Sequence, residues 1–138
     1  MGLLADIYVS RDDEALSYDS TPAKFAERAQ YKRISPLELS MLWAIMCDIE
    51  WDLSSLDEFP CLLQVDGGDR AIHRLPAQMV TDLSRLTPAR IAAVSPKWAV
   101  TEELGWSPDD AQPVVEDFVR LARRAVESGR NVYLWNCV

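Results

Sequence analysis

Apolar positions along the chain fall into three kinds of run, and each predicts a different element. The first kind is short and nearly unbroken. Leu3–Ser10 (LLADIYVS) and Asn131–Val138 (NVYLWNCV) are rich in β-branched and aromatic residues, which predicts two strands of interior character. Asp6 is the one surprise in the first. The second kind is helical. Between Pro113 and Ser128, Val114, Val115, Phe118, Val119, Leu121, Ala122, Ala125 and Val126 fill one arc, and charged side chains from Glu116 to Glu127 fill the opposite one. This predicts an amphipathic helix, with Gly129 as its C′ residue.

The third kind is Ser35–Trp51 (SPLELSMLWAIMCDIEW). Ser35 reads as an N-cap, Pro36 as the first helical residue, and Glu38 closes a capping box. Apolar side chains then surround the helix, with Glu38, Ser40, Asp48 and Glu50 scattered among them. A helix that is apolar all round is buried, so this stretch predicts the central core helix. It is too short and too polar to span a bilayer.

Turn chemistry supplies the remaining boundaries. Asp66-Gly67-Gly68-Asp69 between Cys61–Val65 and Arg70–Leu75 predicts a hairpin, because glycine supplies the positive φ of primed turns. A tight turn sets Cys61 opposite Arg74, a one-residue slip sets it opposite His73, and the pattern leaves both registers open. Arg11–Ser20 reads as a polar, solvated connection, and Thr21-Pro22 opens a short helix to about Ala29. Pro76–Leu86 and Thr87–Val94 read as short helices, with another opening at Ser95-Pro96 and stopping near Gly105. Thr21-Pro22, Ser35-Pro36, Thr87-Pro88, Ser95-Pro96 and Ser107-Pro108 hold five of the eight prolines. In each pair the hydroxyl caps N–H groups and proline takes a place whose own N–H has no partner.

The expected fold is therefore one α+β domain over residues 1–138. It has a small mixed sheet of about four strands with the terminal strands central and the hairpin towards an edge, packed with several short helices around the buried helix. An apolar content of 49 % in 138 residues is enough for a real core. No membrane-spanning run or leader stands out, so a cytoplasmic address is expected.

Charge narrows the partners. Fourteen basic and 22 acidic residues leave a net −8, which disfavours nucleic acid and permits a basic protein. Candidate chemistry is sparse. His73 is the only histidine, and Cys47, Cys61 and Cys137 form no C-x-x-C, so His-His metal centres and zinc knuckles are excluded and no metal or cofactor is expected. A Cys61–His73 nucleophile pair needs the slipped register and lacks a third group to orient the ring. The densest cluster is acidic: Asp48, Glu50, Asp52, Asp57 and Glu58 surround Trp51. Acids around an exposed aromatic suit a basic partner.

The leading expectation is a non-catalytic, acidic protein-interaction domain with its site at Asp48, Glu50, Trp51, Asp52, Asp57 and Glu58. An inhibitor or immunity-type protein that masks a basic enzyme fits this charge and size. The alternative is a small-molecule-binding domain with a pocket near Trp51, Trp106 and His73. An enzyme stands third, with no catalytic residue assigned.

Overall fold

The computed structural model describes residues 3–138. Five strands, β1 (Leu4–Ser10), β2 (Arg28–Lys32), β3 (Cys61–Val65), β4 (Arg70–Arg74) and β5 (Asn131–Cys137), form one sheet in the order β2-β1-β5-β4-β3. The terminal strands are central and the hairpin lies at one edge, as their apolar content predicts. Every pairing is antiparallel, so the sheet is not mixed and contains no parallel crossover. The reason lies in the long connection between β4 and β5. It holds helices α2 (Ala77–Ser84), α3 (Pro88–Ala99) and α4 (Pro108–Ser128), and it leaves and re-enters at the same end of the sheet, where Leu75 N–H donates to Val132 O at 3.0 Å.

Side chains alternate between the faces as strand geometry requires. Ala5, Ile7, Val9, Val132 and Leu134 point into a core closed by α2, α3, α4 and α1 (Pro36–Met46). Tyr8, Ile72 and Tyr133 point the other way and are covered by Ala15, Tyr18 and Phe25. These covering residues belong to the strap between β1 and β2, which runs through two short 3-10 turns (Ala15–Asp19 and Pro22–Lys24). Arg11–Ser20 is therefore more than a solvated connection, because Ala15 and Tyr18 are fully buried.

The fifth strand, β2, begins at the end of the stretch expected as a short helix and runs on beyond it. Its sequence RAQYK alternates, with Ala29 and Tyr31 packed on the core and Gln30 and Lys32 exposed. The Thr21-Pro22 signal produces only the 3-10 turn Pro22–Lys24, without a side-chain cap. Side-chain caps do form at Ser35, Thr87 and Ser107. Ser95-Pro96 instead lies inside α3, where the Ser95 hydroxyl donates to Ile91 O at 2.6 Å. Ser107-Pro108 starts α4 ahead of the expected Pro113, which is absorbed inside that helix.

Helix α1 keeps its predicted start: Ser35 N–H donates to the Glu38 carboxylate at 2.8 Å, and the Ser35 hydroxyl accepts from Leu37 N–H. Its burial is uneven. Leu39 and Leu42 are fully buried, whereas Met41, Trp43 and Ile45 are half-buried. It also stops at Met46, short of Trp51. Asp48 adopts a left-handed φ of 53°, Asp48 N–H returns to Ile45 O and Ile49 N–H to Ala44 O at 3.1 Å. That is a Schellman closure with aspartate where glycine is usual.

Candidate recognition surface

The Schellman turn decides what the acidic stretch can do. It throws the chain off the end of α1 and brings Trp51 back along the helix, where its indole N–H donates to the buried Ser40 hydroxyl at 2.9 Å. Ser40 in turn donates to Leu37 O at 2.7 Å. Trp43, on the same helix, donates its indole N–H to Asp82 of α2 at 3.0 Å. Asp82 also accepts from Gln78 at 2.9 Å. Both indoles are thus held by their polar ends, half-buried, on either side of a groove of 510 Å³.

Ala44, Cys47 and Ile49 supply apolar wall, and Glu50, Asp52 and Glu58 stand on the rim with no basic side chain among the lining residues. Ile49 is 65 % exposed and the neighbouring Leu53 64 % exposed, an unusual outlay of aliphatic surface beside two tryptophans. The Ser54 hydroxyl donates to Asp52 at 2.7 Å and holds its carboxyl below the usual range, so this rim position is charged at neutral pH. Burial, followed by the nearby Asp82 carboxylate, pushes the Cys47 thiol up, away from thiolate chemistry.

Glu50, Trp51, Asp52 and Glu58 are therefore brought together. Asp48 is turned to the other side of the helix end, where it lies 3.7 Å from Arg90, whose guanidinium also donates to Met46 O at 3.1 Å. Arg90 thereby closes the end of α1, which has no basic residue in its own last turn. Asp57 is exposed and does not line the groove.

Trp106 stands elsewhere, edge-on to the buried Trp98 with centroids 5.9 Å apart. His73 sits on β4 opposite Leu134, and neither residue lines the groove. The hairpin resolves its register by using both alternatives. Val65 pairs with Arg70 and Leu63 with Ile72 as a tight turn demands, then an irregularity at Leu62 sets Cys61 opposite His73. The pair is not a dyad: the Cys61 thiol donates to Leu63 O at 3.4 Å, and His73 Nδ1 is buried without a hydrogen-bond partner among the described residues. Burial pulls the His73 imidazole below its ordinary value.

Sequence reasoning missed Trp43, Cys47, Gln78 and Asp82 at this surface. A signal existed for the first two: Ser40, Trp43 and Cys47 recur at helical spacing, and a serine on an otherwise apolar helix marks the side that needs a polar partner. Nothing in the sequence aligns Asp82 with that side.

A second polar constellation lies on the opposite face of the sheet. Asp6 accepts from the Tyr18 hydroxyl at 2.6 Å, Asp12 from the Tyr133 hydroxyl and from Asn131, and Asp19 from Trp135 and Arg70 at 2.9 and 2.8 Å. These three aspartates bind strap to sheet, which explains Asp6 within an apolar strand. Among the described residues no group of His, Cys, Asp and Glu is placed to hold a metal ion, and no helix is long and apolar enough to cross a membrane.

No protein-family model, no curated protein and no solved structure matches the chain. A functional reading accordingly rests on the chemistry of the surface itself.

Proposed function

We propose that this chain is a non-catalytic, cytoplasmic protein-interaction domain that binds a basic protein through the Trp43–Trp51 groove. The observation that carries the reading is the pairing of two half-buried indoles with a rim of three carboxylates and no cation. Desolvated aromatics are what partner side chains gain energy from, and a single-sign rim steers an oppositely charged partner to them. The net charge of −8 adds to the steering and works against nucleic acid as the ligand. An inhibitor or immunity-type protein that masks a basic enzyme is the specific form of this function that the charge and size favour.

The test is binding kinetics with the partner captured from the source cell. The triple variant Glu50→Gln, Asp52→Asn, Glu58→Gln lowers the association rate at low salt and loses most of that effect at high salt. Trp51→Ala chiefly raises the dissociation rate. Unchanged rates for both variants, with folding confirmed by circular dichroism, would reject the groove as the binding site.

A further inference from the structure

We propose that the partner's anchor is an arginine that stacks on the Trp43 and Trp51 indoles and forks to the rim carboxylates, and that the segment carrying it runs on across Trp43 towards Arg74. This rests on the function proposed above and specifies its ligand.

Both indole N–H groups are already used, by Asp82 and by Ser40. What the rings have left to offer is π surface and apolar contact, which is the surface a cation seeks. Glu50, Asp52 and Glu58 make no ion pair among the described residues, whereas Asp48 does. The groove therefore presents unneutralised carboxylates beside aromatic faces. A guanidinium satisfies both at once, since it is planar, weakly hydrated and able to fork to a carboxylate while stacked. An ammonium is a compact, strongly hydrated charge and gains less from the indoles.

The extended shape of the occupant follows from a second groove of 440 Å³, which shares Trp43, Glu58 and Gln78 with the first and continues past Arg74 to Asn131. The two are one trough with Trp43 and Glu58 at its middle. A compact ligand fills one half, and a chain segment reaches both. Arg74 lies 3.8 Å from Asp12 at the far end and repels a second cation there. The segment thus carries its arginine at the Trp51 end and no second cation beyond it.

The probe is a fluorescein-labelled peptide of sequence Ser-Arg-Leu-Ala-Leu-Ser with a C-terminal amide, titrated with the intact protein at low salt. Its two controls replace arginine by lysine or by the neutral isostere citrulline. The arginine peptide binds about tenfold tighter than the citrulline peptide, with lysine between them. In ¹⁵N spectra the indole signals of Trp43 and Trp51 move, and those of Trp98, Trp106 and Trp135 do not. Glu58→Gln, an exposed substitution in the middle of the trough, weakens the arginine peptide about threefold, the scale of one partly solvated charge contact, and the citrulline peptide by less. Equal binding of the arginine and citrulline peptides, no binding of any of them at millimolar concentration, or indole shifts elsewhere would each overturn the proposal. Those outcomes remain separable from failure of the groove itself. A captured partner that still loses association rate in the triple carboxylate variant keeps the groove and removes only the arginine anchor.

Discussion

The two faces of the sheet are buried by different physics. On the helix face, aliphatic side chains from β1 and β5 meet aliphatic side chains from α2, α3 and α4. On the other face Tyr8 stacks on Tyr18 at 4.0 Å and on Tyr133 at 5.6 Å, Phe25 closes edge-on, and three aspartates accept from Tyr18, Tyr133 and Trp135. The helix face needs only apolar area of the right shape, which many side chains satisfy. The tyrosine face needs particular donors opposite particular acceptors, and a mismatch strands a buried polar group. One face tolerates repacking. The other tolerates little chemical change but carries less hydrophobic area.

The largest effect that follows is on the helix face. Trp98 is fully buried, contacts Trp106 and Phe118, and donates its indole N–H to Glu38 O at 2.9 Å across to α1. Trp98→Ala should cost about 3–5 kcal/mol, the range for emptying a large aromatic site. Denaturant titration measures it. A cost smaller than that of the tyrosine-face substitution below would mean that the faces have been ranked in the wrong order.

Next comes Tyr18→Phe, which changes one atom on the tyrosine face. It removes the hydroxyl that donates to Asp6, a residue only 6 % exposed, and leaves that carboxylate with the longer contact from Gln30 at 3.3 Å. The expected loss is about 1–3 kcal/mol, set by an under-bonded buried acceptor rather than by lost area. A double-mutant cycle with Asp6→Ala sharpens the point, because the loss should largely vanish once the carboxylate is gone. Additive effects would mean that the face is held by stacking alone.

That distinction also explains which parts of the fold were legible in the sequence. The helix face announces itself through periodicity: the β1 and β5 runs, the arc of α4 and the cap at Ser35 are all statements about spacing. The strap over the tyrosine face has no period. Ala15 and Tyr18 are buried among Asp12, Asp13 and Asp19 in sequence, and only their partners on β1 and β5 show why. Strand β2 was legible in principle, since Ala29 and Tyr31 alternate with polar neighbours, but the Thr21-Pro22 helix signal masked it. The candidate surface divides in the same way. Glu50, Trp51, Asp52 and Glu58 stood out as a local cluster, whereas Trp43, Gln78 and Asp82 join them only because α1 and α2 pack side by side. Asp48 was separated from the cluster by a left-handed turn that its sequence does not advertise.

Titration sets His73 on the helix face and the three tyrosines of the other face at opposite ends of the pH scale. His73 points to the helix face, and burial holds its imidazole below the ordinary value. Its neutral form is the one the fold prefers, so the contribution is present above about pH 6.5 and is lost as the pH falls through the folded value. Tyr8, Tyr18 and Tyr133 have hydroxyls raised above the ordinary phenol value, first by burial and then by nearby tyrosines or aspartates. Their contribution is complete below about pH 10 and is lost as the pH rises towards their folded values. Asp12 and Asp19 are lowered, chiefly by hydrogen bonds from Tyr133 and Arg70, so their share is complete above about pH 4 and is lost as the pH falls below the usual carboxylate range. Thermal melts across pH should therefore show a shoulder below neutrality that His73→Leu abolishes. Ultraviolet titration should show no phenolate from these three tyrosines until the alkaline unfolding step. Phenolate forming near pH 10 in the folded protein would remove the tyrosine face as a sealed layer.

The smallest effect asks whether formal charge or hydrogen bonding holds the strap. Asp12 has three neighbours: the Tyr133 hydroxyl, the Asn131 amide at 3.0 Å and the Arg74 guanidinium at 3.8 Å. The Arg74–Asp12 pair is the only ion pair of the three contacts, yet its side chains are 41 % and 61 % exposed. At that exposure water screens the attraction and ordering two long side chains offsets much of the rest. Arg74→Met keeps the aliphatic stem and deletes the charge, so it should change stability by no more than about 0.5 kcal/mol, with the difference shrinking further in high salt. Tyr133, by contrast, is fully buried, and its hydroxyl has no water to fall back on. Removing it by Tyr133→Phe should therefore cost more than removing the arginine, although only the arginine carries a charge. If Arg74→Met proved the costlier of the two, the strap would be an electrostatic clasp, and the contrast between an aliphatic face and a hydrogen-bonded one would have to be redrawn as aliphatic against ionic.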